Sequence, residues 1–311
     1  MLCKSIIIIT GPTATGKTYL GIQVAKELGG EIISVDSRQI YRYMDIGTAK
    51  PDKAEQDQIP HHFINIANPD QCYSAGQFGR DVRKCIEQLG KRGVVPILVG
   101  GSGLYLQAVL NGFFEDSTDY AEIREILIRR LEDEGLEALY EELGELDPLA
   151  HARLSPRDGQ RIMRALEVAH GSGESLVEHR NRAPEEPLNC IPLGVCLTMN
   201  REALYKRIDQ RVEAMMQKGL LEEVEKLVKM GYGRGHYGME TFGYKELLDY
   251  LDGHYSLEEA TNTVKRKSRQ YAKRQLTWFR KDRRLRWLDV DAWGSQGIGE
   301  RIIAQYRARI T

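Results

Sequence analysis

Two periods of apolar and polar positions alternate along the first hundred residues. Ser5 to Thr10 (SIIIIT) is a short β-branched run that stops at glycine and reads as a buried strand. From Thr18 to Leu28 the apolar positions Leu20, Val24 and Leu28 are spaced by four, as along one face of a helix. Glu31 to Asp36 (EIISVD) reads as a second strand and Phe78 to Leu89 as a helix. Val94 to Val99 reads as another buried strand, cut off by Gly100-Gly101. Residues 37–62 are polar, contain Gly47, Pro51 and Pro60, and read as an ordered loop region. Strands that alternate with helices predict a parallel α/β sheet.

The pattern then changes. Residues 120–180 carry a helical pattern with little strand signal. Ser155-Pro156 predicts a helix start, with Ser as N-cap, Pro in the first helical position and Asp158 in the first turn. Residues 181–190 contain two prolines and read as a connection, and Ile191 to Thr198 reads as a strand returning to the sheet. The predicted organisation is an α/β core over 1–112 and 188–311, with a helical domain inserted at 113–187. Beyond residue 200 the chain is mostly helical, and Ser256 with Glu259 forms the capping box of a long basic helix.

Charge changes this picture more than composition does. The chain has 44 Lys+Arg and 45 Asp+Glu, a net charge of −1, yet the two signs are segregated. Residues 115–147 hold 13 acidic and 3 basic side chains, and residues 261–286 hold 11 basic and 1 acidic. The basic block suggests contact with phosphate, against the plainer reading of a solvated helix face. No apolar stretch approaches the roughly 20 residues of a bilayer-spanning helix, so no membrane association is expected. Met1-Leu2-Cys3-Lys4 leads directly into the first strand without a signal-peptide pattern, from which a cytoplasmic location is expected. The cysteines Cys3, Cys72, Cys85, Cys190 and Cys196 show no CxxC spacing, so neither a disulfide framework nor a zinc site is supported.

Gly11-Pro12-Thr13-Ala14-Thr15-Gly16-Lys17-Thr18 fits GxxxxGK[ST], between a predicted strand and a predicted helix. In such a nucleotide-binding loop the backbone N–H groups curl around an anion, as they do for ATP in many enzymes. Lys17 supplies a point charge for the terminal phosphates, and the Thr18 hydroxyl can ligate Mg²⁺. The motif implies that a diphosphate or triphosphate binds, not what becomes of it. Asp36 ends the second strand, where ligands bind in open α/β sheets. Two roles compete for it: a magnesium ligand or a general base toward an incoming nucleophile.

The stretch Asp36–Pro51 (DSRQIYRYMDIGTAKP) resembles the signature of the tRNA dimethylallyltransferases. Gly100–Tyr105 (GGSGLY), Gln160–Glu167 (QRIMRALE), Gly243–Glu246 (GYKE) and Arg269–Arg280 (RQYAKRQLTWFR) match further blocks of that family, in order along almost the whole chain. Ser102 stands where threonine is common, and the cysteine and histidine placement is not that of a C-terminal zinc finger, so the shorter bacterial form is expected. The resemblance implies transfer of a dimethylallyl group from dimethylallyl diphosphate to N6 of adenosine 37 in tRNA, on a flipped base. It also implies that the loop holds pyrophosphate, with Mg²⁺, and that Asp36 is the base. Arg207 is the position it assigns to completing the pyrophosphate clamp, with Arg211, one turn on, as runner-up.

By the same resemblance the tRNA anticodon stem-loop meets Asp36, Ser37, Arg38 and Gln39, then Ser102 and Arg124. It further meets Gln160, Arg161, Ile162, Met163 and Arg164, then Gly243, Tyr244 and Lys245, and finally Arg269, Lys273 and Arg274. Spacing places Gln160, Arg161 and Arg164 on one helical face. In the basic helix, Arg266, Arg269, Lys273 and Arg280 are expected to line one face and stay free for phosphates. Val264, Tyr271 and Trp278 are expected to pack on the body. A monomer is expected. Rival readings are a small-molecule kinase, an enzyme that prenylates free AMP, and a non-catalytic RNA-binding protein with a relic loop.

Overall fold

A computed structural model describes residues 5–113, 118, 120–181 and 187–310. The chain divides into two compact units, one formed by residues 1–110 and 188–311 and the other by residues 111–187. Of the sequence readings, the Met1–Lys4 start, the middle of the 181–190 connection and part of the acidic block lie outside the described residues.

The first unit is built on a six-stranded parallel sheet in the order β3-β2-β4-β1-β5-β6. Its strands are β1 (Ser5–Thr10), β2 (Gly30–Val35), β3 (His61–His62), β4 (Val95–Gly100), β5 (Ile191–Thr198) and β6 (Leu285–Asp289). β1 lies between β4 and β5, with Ile8 opposite Leu98 on one side and Gly194 on the other. Because side chains alternate across a strand, the isoleucine run of β1 feeds both faces. Ile7 and Ile9 join Leu20, Val24, Ile97, Val195, Ile208 and Ile302. Ile6 and Ile8 join Phe78, Val82, Leu98, Leu106 and Phe279 on the other face. The first face is covered by α1 (Lys17–Leu28), α10 (Arg201–Gln217) and α14 (Val290–Ile310), the second by α3 (Ala75–Lys91) and α4 (Gly103–Asn111). A sheet covered on both faces explains why its central strands read as continuous apolar runs.

A third apolar cluster lies off the sheet. It joins Ile40, Tyr41 and Met44 to α11 (Leu220–Lys229), α12 (Tyr244–Leu251) and the start of α13 (Leu257–Phe279). The region read as a loop is thus anchored by its few apolar side chains. It also contains the short α2 (Lys53–Gln56) and β3.

The second unit is helical: α5 (Ala121–Asp133), α6 (Gly135–Leu146), α7 (Pro148–His151), α8 (Gly159–Ser172) and α9 (Leu176–Asn181). Its core gathers Leu127, Leu139, Leu143, Ile162, Leu166 and Leu176. The helix start expected at Ser155-Pro156 falls later. The Ser155 carbonyl accepts the Asp158 N–H at 2.9 Å, closing a turn, and α8 begins after Asp158. Ser256 caps α13 as expected, accepting the Glu259 N–H at 3.2 Å.

Candidate active site

The loop after β1 is shaped by close backbone packing. Gly11 has φ of +140°, and a Cβ there would lie 2.6 Å from the Leu197 carbonyl oxygen. Glycine is therefore required. Ala14 takes the left-handed region at φ 66°, and Gly16 at φ 84° opens α1. The Thr15 hydroxyl and the Lys17 ammonium both donate to the Pro12 carbonyl, at 2.8 and 2.7 Å. Burial pushes the Lys17 pKa down to about 8. The neighbouring Arg211 guanidinium acts in the same direction and the Asp36 carboxylate opposes it.

Asp36 follows directly after β2. Its Oδ1 accepts the backbone N–H groups of Arg38 at 2.8 Å and Gln39 at 3.4 Å, an Asx turn that fixes the carboxylate. Gln39 ties this turn to the next loop, donating to the carbonyls of Thr48 and Ala49 at 3.4 and 3.2 Å. The Arg38 guanidinium donates to the Tyr237 carbonyl at 3.1 Å. Lys17, Thr18, Asp36, Ser37, Arg38 and Gln39 all line one cavity of about 520 Å³. β1 and β2 thus deliver phosphate loop and carboxylate to the same crevice at the carboxyl edge of the sheet.

The cation that α10 brings to the cavity is Arg211 and not the expected Arg207. Leu204, Ile208 and Val212 bury one face of α10. Arg207 is exposed and does not line the cavity. Arg211 lines it and donates to the Thr13 hydroxyl at 3.4 Å. One helical turn is about 5.4 Å, which decides which arginine reaches the loop. Burial lowers the Arg211 pKa, while Asp36 counteracts it.

Helix α13 forms another wall, differently from the expectation. Its buried face is Ala260, Val264, Ser268, Ala272, Gln275 and Phe279. Gln275 had no role in the sequence reading. Its amide accepts the Thr13 N–H and donates to the Gly101 carbonyl, both at 2.9 Å, joining helix to phosphate loop. A polar side chain inside a basic helix carries no signal that it is buried. Tyr271 lines the cavity, its ring 5.2 Å from that of Phe242. Trp278, expected in the core, is 40% exposed and lies across Gly103, where a Cβ would come within 2.2 Å of its ring.

The cations of α13 are not uniformly free. Arg269 pairs with Asp209, Lys267 with Glu246, and Lys265 with Glu213 at 2.7 Å. Arg266, Lys273, Arg274 and Arg280 are exposed, and Arg274 also lines the cavity. Three further positions expected to face RNA are engaged within the protein. Tyr244 is fully buried in the third cluster and donates to Glu223 at 2.6 Å. Gly243, at φ +98°, donates its N–H to Glu246, and Lys245 pairs with Glu240. Ser102 lies at the start of α4, its N–H donating to Val35 at 3.1 Å, and is not among the cavity's lining residues.

In the helical unit, Gln160 and Arg161 are exposed, with Arg161 3.4 Å from Asp158. Ile162 is fully buried, and Met163 packs against the same core with part of its side chain exposed. Arg124 and Arg164 converge on the buried Glu167, at 2.5 and 3.1 Å, and the Arg164 guanidinium covers the Tyr120 ring at 4.4 Å. The single helical face inferred from spacing therefore divides into an exposed pair and an arginine held by a buried carboxylate.

A parallel sheet, a phosphate loop and a carboxylate opposite it define a P-loop protein with a site for an anionic group and a second reactant. A family model described as IPP transferase matches residues 39–282, and the chain belongs to that family. It is 42% identical over 307 residues to a tRNA dimethylallyltransferase of Carboxydothermus hydrogenoformans, covering 98% of both chains. It is 47% identical to one of Bacillus cereus, covering 92% of this chain and 90% of that one. Among solved structures, a tRNA isopentenylpyrophosphate transferase from Staphylococcus epidermidis superposes with a TM-score of 0.71 at 37% identity, over 98% and 99% of the two chains. A eukaryotic dimethylallyltransferase acting on tRNA gives 0.78 at 29% identity, over 99% of this chain and 79% of the other.

Proposed function

We propose that the protein transfers a dimethylallyl group from dimethylallyl diphosphate to N6 of adenosine 37 in tRNA, releasing pyrophosphate. The observation that carries the reading is the shared cavity: Lys17, Thr18 and Arg211 stand on one side, and the fixed Asp36 carboxylate opens into the same space. In the reaction the allylic carbon–oxygen bond breaks and a carbon–N6 bond forms. The N6 proton passes to the Asp36 carboxylate, and the electron pair leaves on pyrophosphate. Loop N–H groups, Lys17 and Arg211 stabilise the charge that develops on the leaving group. Asp36, held by two backbone N–H groups, keeps its second oxygen for the proton.

Among the described residues no group of three or more His, Cys, Asp or Glu side chains could hold a metal. The residues present fit Mg²⁺ only as the partner of a diphosphate, with the Thr18 hydroxyl as its protein ligand. When bound, the ion would add positive charge beside the leaving group. The anticodon stem-loop is assigned to the exposed cations of α13 and to Gln160 and Arg161, with the target adenine flipped from its stack into the cavity. No described helix is long and apolar enough to cross a membrane; a cytoplasmic monomer is the reading adopted. The test is the mass of bulk tRNA incubated with the protein, dimethylallyl diphosphate and Mg²⁺. A gain of one prenyl unit per modified molecule is expected. Unchanged tRNA, with label moving from ATP to a small acceptor, would sink the reading in favour of a kinase.

A further inference from the structure

Glu223 lies in the first turn of α11, half-buried and outside the residues that line the cavity. Its carboxylate nevertheless holds the backbone of one cavity wall. Oε2 accepts the N–H groups of Asp45 and Ile46 at 2.9 and 2.8 Å. Oε1 accepts the Gly47 N–H at 3.1 Å and the Tyr244 hydroxyl at 2.6 Å. An ionised carboxylate offers acceptor sites alone, so donors converging on both its oxygens match its chemistry. Burial, with the Glu223 carboxylate beside it, pushes the Tyr244 hydroxyl pKa well above the ordinary value of 10.0, so Tyr244 stays a donor. The Tyr244 ring also supports the loop, since a Cβ at Gly47 would meet it at 2.5 Å.

The held loop leads to Asp36. Ala49 takes the left-handed region at φ 48°, which residues other than glycine rarely adopt. The carbonyls of Thr48 and Ala49 accept the Gln39 amide N–H groups at 3.4 and 3.2 Å. The Ser34 hydroxyl donates to the oxygen of the same amide at 2.9 Å, which fixes its orientation. Gln39 belongs in turn to the Asx turn whose N–H groups hold Asp36 Oδ1. Gly47, Thr48 and Ala49 line the cavity with Asp36. No residue along this path belongs to the phosphate loop or to α10, which bring Lys17 and Arg211.

We propose that Glu223 is a positioning residue for the transfer. By holding Asp45, Ile46 and Gly47 it sets the Thr48 and Ala49 carbonyls, through them Gln39, and through Gln39 the carboxylate that takes the N6 proton. This rests on the reading above that Asp36 acts as base toward an adenine. A base displaced by about an ångström loses much of its effect. The diphosphate is gripped by other elements and does not feel the displacement.

The test is Glu223→Gln, which keeps the size but turns an amino group, a donor, toward groups that themselves donate. Single-turnover transfer at saturating RNA should fall by about tenfold to hundredfold, the scale of a small misplacement. Affinity for dimethylallyl diphosphate should stay within about twofold. In an Asp36→Asn background no base remains to be positioned, so the same change should cost less than about twofold, the non-additivity of residues on one path. An unchanged rate, or equal proportional losses in both backgrounds, would overturn the positioning role. Amide hydrogen exchange of the free protein reads the link without any reaction. Glu223→Gln should speed exchange at residues 45–47 and also at 38–39, and an acceleration confined to 45–47 would overturn the link to Asp36. Gln39→Met cuts the path nearer Asp36 and carries the same kinetic prediction, with additive losses overturning it, should Glu223→Gln not fold. A wild-type protein that modifies no RNA would overturn the functional reading and this role with it, while the exchange result still reports the link.

Discussion

The cations of the cavity and those of the basic helix differ in what neutralises them. Lys17 is half-buried, and its close contact is a carbonyl oxygen; Arg211, also half-buried, leans on a threonine hydroxyl. Neither has a carboxylate within ion-pair distance among the described contacts, and Asp36 acts on both only from farther away. On α13, by contrast, Arg269, Lys267 and Lys265 are matched to Asp209, Glu246 and Glu213. Two half-buried positive charges held without a paired carboxylate are costly unless an anion arrives, which is the physical mark of a phosphate site. A dense run of lysine and arginine is a weaker mark, because tertiary contacts can spend half of it on ion pairs.

The sharpest test of the contrast is Asp36, the negative group facing the cavity cations. Asp36→Asn should lower single-turnover transfer by about 10²–10⁴, the scale of losing a general base. Affinities for diphosphate and Mg²⁺ should hardly change. Recovery toward the wild-type rate across a Mg²⁺ series would instead make Asp36 a metal ligand. Next in size, Lys17→Ala and Arg211→Ala should each cost about 10²–10³ in turnover, as expected for removing one electrostatic donor. Arg207→Ala should stay within about twofold, as for an exposed arginine. An Arg207 effect equal to that of Arg211 would break the assignment of the clamp.

A pH series separates the two regions further. The folded Lys17 pKa, about 8, lies below the ordinary value of 10.5. The native state therefore carries the full cost of the charge below about pH 8 and is relieved of it between about 8 and 10.5. A bound anion favours the charged form, so binding above pH 8 must take up a proton. Pyrophosphate affinity measured by calorimetry should be level below pH 8 and fall by up to about tenfold per unit above it. Lys17→Arg should abolish that fall, and a fall that persists would assign it to another group. The smallest effects concern α13. Lys273→Ala should reduce the salt slope of RNA binding by about one counterion. Arg269→Ala should leave the slope nearly unchanged and cost roughly 1 kcal/mol or less of stability, as for a partly exposed ion pair. The reverse outcome would restore Arg269 to the RNA surface.

Much of this was legible in the residues. The isoleucine run of β1, the bounds of β5 and the Ser256 capping box emerged from local pattern, because strand alternation and cap chemistry act within a few residues. The phosphate loop was equally plain, since its glycines and Lys17 serve backbone geometry over eight positions. Ser155 opens a turn rather than α8, because a serine before proline satisfies a turn as well as a helix. Resemblance to motifs assigns Tyr244, Ile162 and Arg124 to the RNA, but it holds no record that Tyr244 and Ile162 are buried or that Arg124 pairs with Glu167.

By itself, then, the chain determined a P-loop α/β core, an acidic helical stretch and a basic helix, because each is written in periodicity, turn chemistry or net local charge. Tertiary structure alone decided that Arg211 and not Arg207 reaches the loop, that Gln275 ties the basic helix to Thr13, and that Glu167 holds two arginines. It also decided that the Thr241 hydroxyl is buried without a hydrogen-bond partner. The physical reason is common to all four. Whether a polar side chain is free, paired or waiting for a ligand depends on groups tens to hundreds of residues away in sequence, and spacing along one helix carries no record of them.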